Sequence, residues 1–283
     1  LLGVIGGIAY KTKASKIKIT LMRIQKGESR AGKFNIVNDA YAVGQSGYEA
    51  VSDNLEYNQQ SLSNLLINGK HIISDWNIDW RVSPTYSTSD DPDIRKTAFS
   101  YDGNYSFSAG EAGNPSRIWR TLSELNATAK IDIKRDFKFD KFDFKLKFGG
   151  SQTYKLRDYG IYLYELMFWG QNQQWESPNA DLVLQDQNMY PSSQNNVYYQ
   201  SSNANPNPNE YSSNVWNTGL YLSGEFNLFK KLKTTIGVRG EYYVQRHTGR
   251  DISYSAGNTI QGKNLVNAKV LESFNLFPTI NTV

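Results

Sequence analysis

Apolar and polar positions alternate with period two along much of this chain. That is the pattern of strands whose two faces meet different environments. The clearest stretch is 214–228, where Trp216, Thr218, Leu220, Leu222, Gly224, Phe226 and Leu228 share one parity and Asn217, Tyr221, Ser223, Glu225 and Asn227 the other. Segments 76–86, 117–133, 142–157 and 232–245 repeat it. In 142–157, Phe142, Phe144, Leu146, Phe148, Tyr154 and Leu156 oppose Asp143, Lys145, Lys147, Ser151, Thr153, Lys155 and Arg157. With weaker segments the pattern predicts nine strands, near 1–11, 17–26, 58–73, 76–87, 117–135, 142–165, 214–228, 232–247 and 272–283. The apolar parity changes after Leu21, at Met22 and Ile24, which predicts a bulge there. Pro84 and Pro278 interrupt their strands as donors.

The predicted connections are of two kinds, in strict alternation. Those near 12–15, 74–75, 136–141 and 229–231 are short, and those near 27–57, 87–116, 168–213 and 248–271 are long. Antiparallel strands then put every short turn at one end and every long loop at the other, the asymmetry of outer-membrane barrels. A soluble sandwich has shorter strands and turn signals every ~8–12 residues. Segments 117–135 and 142–165 are longer than the ~9–11 residues a tilted strand needs to cross a bilayer. The expected fold class is therefore all-β, an antiparallel transmembrane β-barrel segment with short periplasmic turns and long extracellular loops. Aromatics of the apolar parity support it. Tyr86, Trp119, Tyr154, Trp216 and Tyr242 lie toward the long loops, and Tyr10, Trp76, Phe142, Phe144 and Phe226 toward the short turns, as two interfacial girdles require.

Composition narrows the function classes. Aromatic residues make up 13% of the 283 and hydrophobic residues 39%, with no run of ~18 apolar residues that could form a spanning helix. Cysteine is absent, which removes disulfides, thiolate metal sites and thiol nucleophiles. A net charge of +4 does not mark a nucleic-acid-binding protein. The chain opens on Leu1-Leu2-Gly3 without a signal peptide and stops at Asn281-Thr282-Val283 after an apolar run. It is read as an internal piece of a longer protein.

Several stretches resemble TonB-dependent outer-membrane receptors. They are Asn114-Pro115-Ser116-Arg117-Ile118-Trp119-Arg120, Lys147-Phe148-Gly149-Gly150 continuing to Tyr154-Lys155-Leu156-Arg157-Asp158, Gly237-Val238-Arg239-Gly240-Glu241-Tyr242-Tyr243, and Asn275-Leu276-Phe277-Pro278-Thr279-Ile280-Asn281. The resemblance covers essentially the whole chain. It implies the middle portion of a plugged barrel of about 22 strands, with 1–283 as a partial barrel domain. It also implies import of a scarce ligand (a siderophore, glycan or peptide) driven by the TonB complex in a Gram-negative outer membrane. Implied partners are membrane lipid, a plug domain of the same parent chain, the TonB complex and a surface lipoprotein, with no nucleic acid. No plug, TonB-contacting box or aromatic-terminated last strand is visible here. The alternatives are a passive porin-like channel and a structural or secretion barrel that binds through its loops.

The polar parity supplies the candidate lumen- and plug-facing residues: Asp79, Arg81, Glu124, Lys130, Asp132, Lys145, Lys147, Arg239 and Glu241. A solvated face without a special role is the competing interpretation. The loop at 168–213 combines amides with Trp169, Trp175, Tyr190, Tyr198, Tyr199 and Tyr211, a mixture suited to stacking on and hydrogen-bonding polar organic ligands. A plain surface loop or a lipoprotein contact is its alternative. Asp90, Asp91 and Asp93 lack the spacing and glycine of a calcium loop and suggest a Ser-Asp-Asp-Pro turn. His71 and His247 are the only histidines and belong to no metal motif. No nucleophile context accompanies them, so neither a catalytic site, a metal nor a cofactor is expected.

Overall fold

The structure is a computed structural model, and it describes residues 1–38, 48–106, 114–140, 142–169, 174–191, 197–228 and 232–283. Nine long strands account for most of it: β1 (Leu2–Lys11), β2 (Ser15–Asn38), β3 (Tyr48–Ile73), β4 (Trp76–Lys96), β7 (Ser116–Lys138), β8 (Phe142–Phe168), β11 (Glu210–Leu228), β12 (Leu232–Arg250) and β13 (Asn264–Thr282). Four short strands, β5 (Phe99–Tyr101), β6 (Tyr105–Ser106), β9 (Gln174–Trp175) and β10 (Val197–Ser201), join them in one antiparallel sheet. Two single-turn helices, α1 (Ala180–Val183) and α2 (Ile252–Ser255), sit in the long connections.

Each long strand pairs with the next in sequence, so the sheet is a meander ordered β1-β2-β3-β4-β7-β8-β11-β12-β13. Among the described residues β1 pairs only with β2 and β13 only with β12, leaving two outer edges. The expected nine strands are all present, but much of the expected loop is strand. The β2–β3 hairpin runs unbroken from Ser15 opposite His71 to Asn38 opposite Tyr48. The 27 residues of β8 span about 90 Å if extended. In the described part of this hairpin apolar residues stand on both faces, Phe34, Ile36 and Ala50 on one and Val37 and Leu55 on the other, so period two vanishes although the ladder continues. The turn expected at 229–231 lies outside the described residues.

The register carries the apolar parity of the predicted segments in β3, β4, β7, β8, β11, β12 and β13 to one face. Successive rows read Ile67, Val82, Ala129, Gln152, Thr218 and Tyr242, and Trp80, Ile131, Gly150, Leu220, Gly240 and Leu276. This face is exposed, with Leu220 at 67%, Leu222 at 52% and Leu276 at 61% accessible. Among the described residues only Ala50, Ile94, Ala98, Phe99, Leu166, Val183 and Val197 are buried apolar residues. A water-soluble domain of this length buries most of its large apolar side chains. Here they form an outward band. The short-turn rim of that band holds Tyr10, Trp76, Phe144 and Phe226, with the Phe144 and Phe226 rings 4.8 Å apart. Its other rim holds Tyr86, Tyr154, Trp216 and Tyr242, with the Tyr154 and Trp216 rings 4.6 Å apart. Trp119, expected in that girdle, sits higher. Ser123 and Thr121 separate it from Leu125, and its partner is the Tyr164 ring at 5.5 Å.

The bulge expected after Leu21 is absent, because β2 pairs without a shift on both sides. Met22 and Ile24 simply stand on the opposite face, Met22 across from Ile5 and Asn64. Register shifts lie instead between Leu55 and Gln59, between Asp91 and Ile94, and in β12 after Gln245. The β3–β4 ladder skips the positions opposite Ser83 and Pro84 and resumes in register, as a missing N–H requires. Pro278 is tolerated on the edge strand β13.

Candidate functional site

The face opposite the apolar band is polar and concave. Flat strands stand ~4.8 Å apart, which would set β2 and β11 more than 20 Å from one another. Yet Lys16 of β2 and Tyr221 of β11 line one cavity of about 490 Å³ at the short-turn end. Asp79, Arg81, Glu124, Lys130, Asp132, Lys145, Lys147, Arg239 and Glu241 all stand on this face, since their strands place them in register.

Three carboxylates organise it. Asp132 accepts the Tyr221 hydroxyl at 2.6 Å and lies 3.0 Å from Lys130 Nζ. The tyrosine reaches two strands across because Gly149 lies beneath its ring, and a Cβ there would meet the Ile131 carbonyl and the ring at 2.9 Å. Glu225 gathers Lys147 at 3.3 Å, Lys145 at 3.8 Å and Lys233 at 3.1 Å, tying β8, β11 and β12 together. Glu124 holds Arg157 at 2.5 Å and Lys155 at 3.4 Å. Lys70–Asp79 at 2.9 Å, Arg239–Glu241 at 2.6 Å and Lys145–Asp136 at 3.5 Å are further ion pairs of this face. Tyr221, Glu225, Lys155, Arg157 and Lys233 belong to these clusters although only their parity marked them in the sequence. Above Glu124 and Arg157, the Tyr211 ring lies 5.3 Å from Tyr159 and 5.4 Å from His247, an aromatic patch on the same face.

The six loop aromatics do not converge. Trp169 and Tyr190 are exposed at 71% and 62%. Trp175 and Tyr199 pack against the small core of Phe99, Leu166, Val183 and Val197. Tyr198 lies in β10 opposite Met167 of β8, and Tyr211 is in β11. The asparagines of the 203–209 stretch have a structural task. Asn203 Oδ1 accepts the Leu163 N–H at 2.6 Å, and Asn203 and Asn207 both donate to the Ile161 carbonyl, at 3.0 and 2.9 Å. Those backbone groups belong to β8 where β11 diverges from it, so the amides replace lost ladder bonds.

Asp90, Asp91 and Asp93 do not form a turn. They lie inside β4, where Pro92 sits at the register shift and so costs no ladder bond. The shift turns Ile94 inward, where it is buried, and sets Arg95 on the outer face opposite Arg117. Asp91 pairs with Arg120 at 2.8 Å, and Asp93 bridges Arg95 at 2.6 Å and Arg117 at 2.7 Å. The Arg117 hydrogen bond, above all, holds the Asp93 carboxyl below its ordinary range. No group of three or more potential metal ligands occurs among the described residues. His71 Nε2 accepts the Trp80 indole N–H at 3.0 Å, which puts the ring proton on Nδ1, 2.9 Å from Ser15 Oγ. In that tautomer His71 cannot take a proton from Ser15.

No protein-family model and no curated protein matches the sequence. Among solved structures the chain is similar to the ferric-catecholate import receptor Fiu from E. coli K12. The TM-score is 0.42 for the open form, at 8% identity over 99% of this chain and 49% of that one. The closed form gives 0.41 at 8% identity, over 99% and 45%. The siderophore receptor PiuA from Acinetobacter baumannii gives 0.35 at 9% identity, over 99% and 42%. The chain spans about half the length of these proteins, or less. No helix among the described residues is long and apolar enough to cross a membrane.

Proposed function

We propose that this chain is wall of an outer-membrane β-barrel of the TonB-dependent transporter type. One observation carries the membrane part: the large apolar side chains face outward in a band between two aromatic rims, while charged residues pair on the concave face. Lipid can cover such a band, and water makes it costly at ~25 cal/mol per Å² of apolar surface. Closure needs further strands between the edges of β1 and β13, which a wide barrel supplies. A plug filling that width would find Asp132, Glu124, Glu225 and their cationic partners on the inner wall. The long-loop end would capture a scarce polar ligand, a siderophore, glycan or peptide, with energy from the TonB complex and no covalent chemistry in these residues. The stretches that resemble TonB-dependent receptors lie in β7, β8, β12 and β13 and support this assignment.

Planar-bilayer conductance of the protein extracted from outer membranes tests it. A plugged transporter gives no steady conductance. A steady ohmic current would overturn the transporter assignment in favour of a passive channel.

A further inference from the structure

Beyond the rim of Tyr86, Tyr154 and Trp216 the outer face of the sheet stops being apolar. One row there reads Thr88, Ser123, Asp158 and Ser212, and the next Asp90, Thr121, Gly160 and Glu210. No register shift separates these positions from the rim, so they keep its outward parity. They line a hollow of about 640 Å³, the volume of a ligand pocket. It runs from Tyr86 to Tyr162. Leu156 stands level with Tyr86, and Tyr162 lies six residues further along β8, about 20 Å away. The floor is the buried Gly160, where a Cβ would stand 3.5 Å from Glu210 Cγ and 3.8 Å from Thr121 Oγ1, so a longer side chain there would enter the hollow. Its charged groups are unpaired. Among the described residues Asp90, Asp158 and Glu210 form no ion pair, because Arg120 and Arg157 turn to Asp91 and Glu124 on the concave face. Arg250 also lines the hollow, and its Nε is buried without a hydrogen-bond partner.

The geometry points to a binding site for a short uncharged oligosaccharide laid along the outer face of β8. Sugar hydroxyls donate to carboxylates that no cation occupies, and a ring oxygen or hydroxyl accepts from Arg250. The C–H faces of the sugar rings stack on Tyr86 and Tyr162, which are 49% and 45% accessible at the two ends of the hollow. Three carboxylates against one arginine make the hollow anionic, which repels acidic and phosphorylated glycans. The saccharide is free in solution or carried by a lipid of the adjoining leaflet, and both present the same hydroxyls. The site is on the opposite side of the wall from the concave face and does not depend on transport, so it stands or falls independently of the conductance result.

The test is a glycan array probed with fluorescently labelled, detergent-purified protein. Signals are expected on neutral oligosaccharides and not on uronate-bearing, sialylated or phosphorylated ones. The strongest array ligand is then titrated against variants by calorimetry. Asp90→Ala combined with Asp158→Ala should weaken it about tenfold or more, and so should Gly160→Trp, which fills the hollow. Asp181→Ala combined with Asp186→Ala removes the same charge outside the hollow and should leave the affinity unchanged. Circular dichroism and heat-modified gel mobility identify folded variants. Offering the same glycan free and as a lipid conjugate to protein in nanodiscs separates the two sources: tighter binding of the conjugate assigns a lipid-borne saccharide, equal binding a free one. No signal on any neutral oligosaccharide would overturn the site, as would binding that neither hollow variant weakens.

Discussion

Leu220→Arg separates a lipid-facing wall from a water-facing one. Leu220 stands on the outward face of β11 between Gly150 and Gly240, with Trp216 toward one aromatic rim and Phe226 toward the other. The flanking glycines leave it 67% accessible. In water, arginine at so exposed a position changes stability by about 0.5 kcal/mol or less. Near the middle of a bilayer the same change costs roughly 2–4 kcal/mol, because the guanidinium must be dehydrated or must drag water inward. The folding equilibrium would shift between roughly 30-fold and nearly a thousandfold. Urea titration of tryptophan fluorescence for protein folded in phospholipid vesicles reads this. Asn217→Arg, on the opposite face of the same strand, should stay within about 0.5 kcal/mol. Equal, small effects at both positions would refute a lipid-covered face.

Other consequences follow from the concave face and the long-loop end. Glu225→Gln removes the charge that holds Lys145, Lys147 and Lys233, and should cost about 1–2 kcal/mol in the same titration. Gly149→Val places carbon against the Ile131 carbonyl and the Tyr221 ring, with an expected loss of about 1–3 kcal/mol. Tyr221→Phe in that background should add little, since the bond to Asp132 is already broken. Asp93 is held below its ordinary value of 3.8, mainly by Arg117. A depressed carboxyl stabilises above its unfolded pKa and loses that contribution as pH falls through its folded pKa. Hydrogen exchange in β10 and α1 should therefore accelerate below about pH 4, and Asp93→Asn should remove most of the pH dependence.

The alternation in 214–228 and 142–157 located the strands of the outward apolar band because one face of each is apolar throughout. It failed in 27–57, where β2 and β3 continue as one ladder with apolar residues on both faces, Phe34 and Ile36 on one and Val37 and Leu55 on the other. The Asp90–Asp93 run looks like a turn locally, yet Arg95, Arg117 and Arg120 from two strands hold it extended, and no local signal encodes that pairing. Parity assigns these charges to a common face but not their grouping, which depends on register. The loop aromatics are distributed by packing that the sequence does not display. Trp175 and Tyr199 are packed against a core whose members, Phe99, Leu166, Val183 and Val197, come from four separate segments. Asn203 and Asn207 look like ligand amides in sequence and are consumed by the β8 backbone.

The absence of cysteine makes the central claim directly measurable. Single cysteines at successive positions from Trp216 to Phe226 can each carry a bimane label in vesicles containing brominated lipid. An outward apolar band predicts that quenching by lipid peaks at 216, 218, 220, 222, 224 and 226, while the intervening positions respond to aqueous iodide. Uniform aqueous quenching at all of them would contradict it and return this sheet to a water-soluble protein.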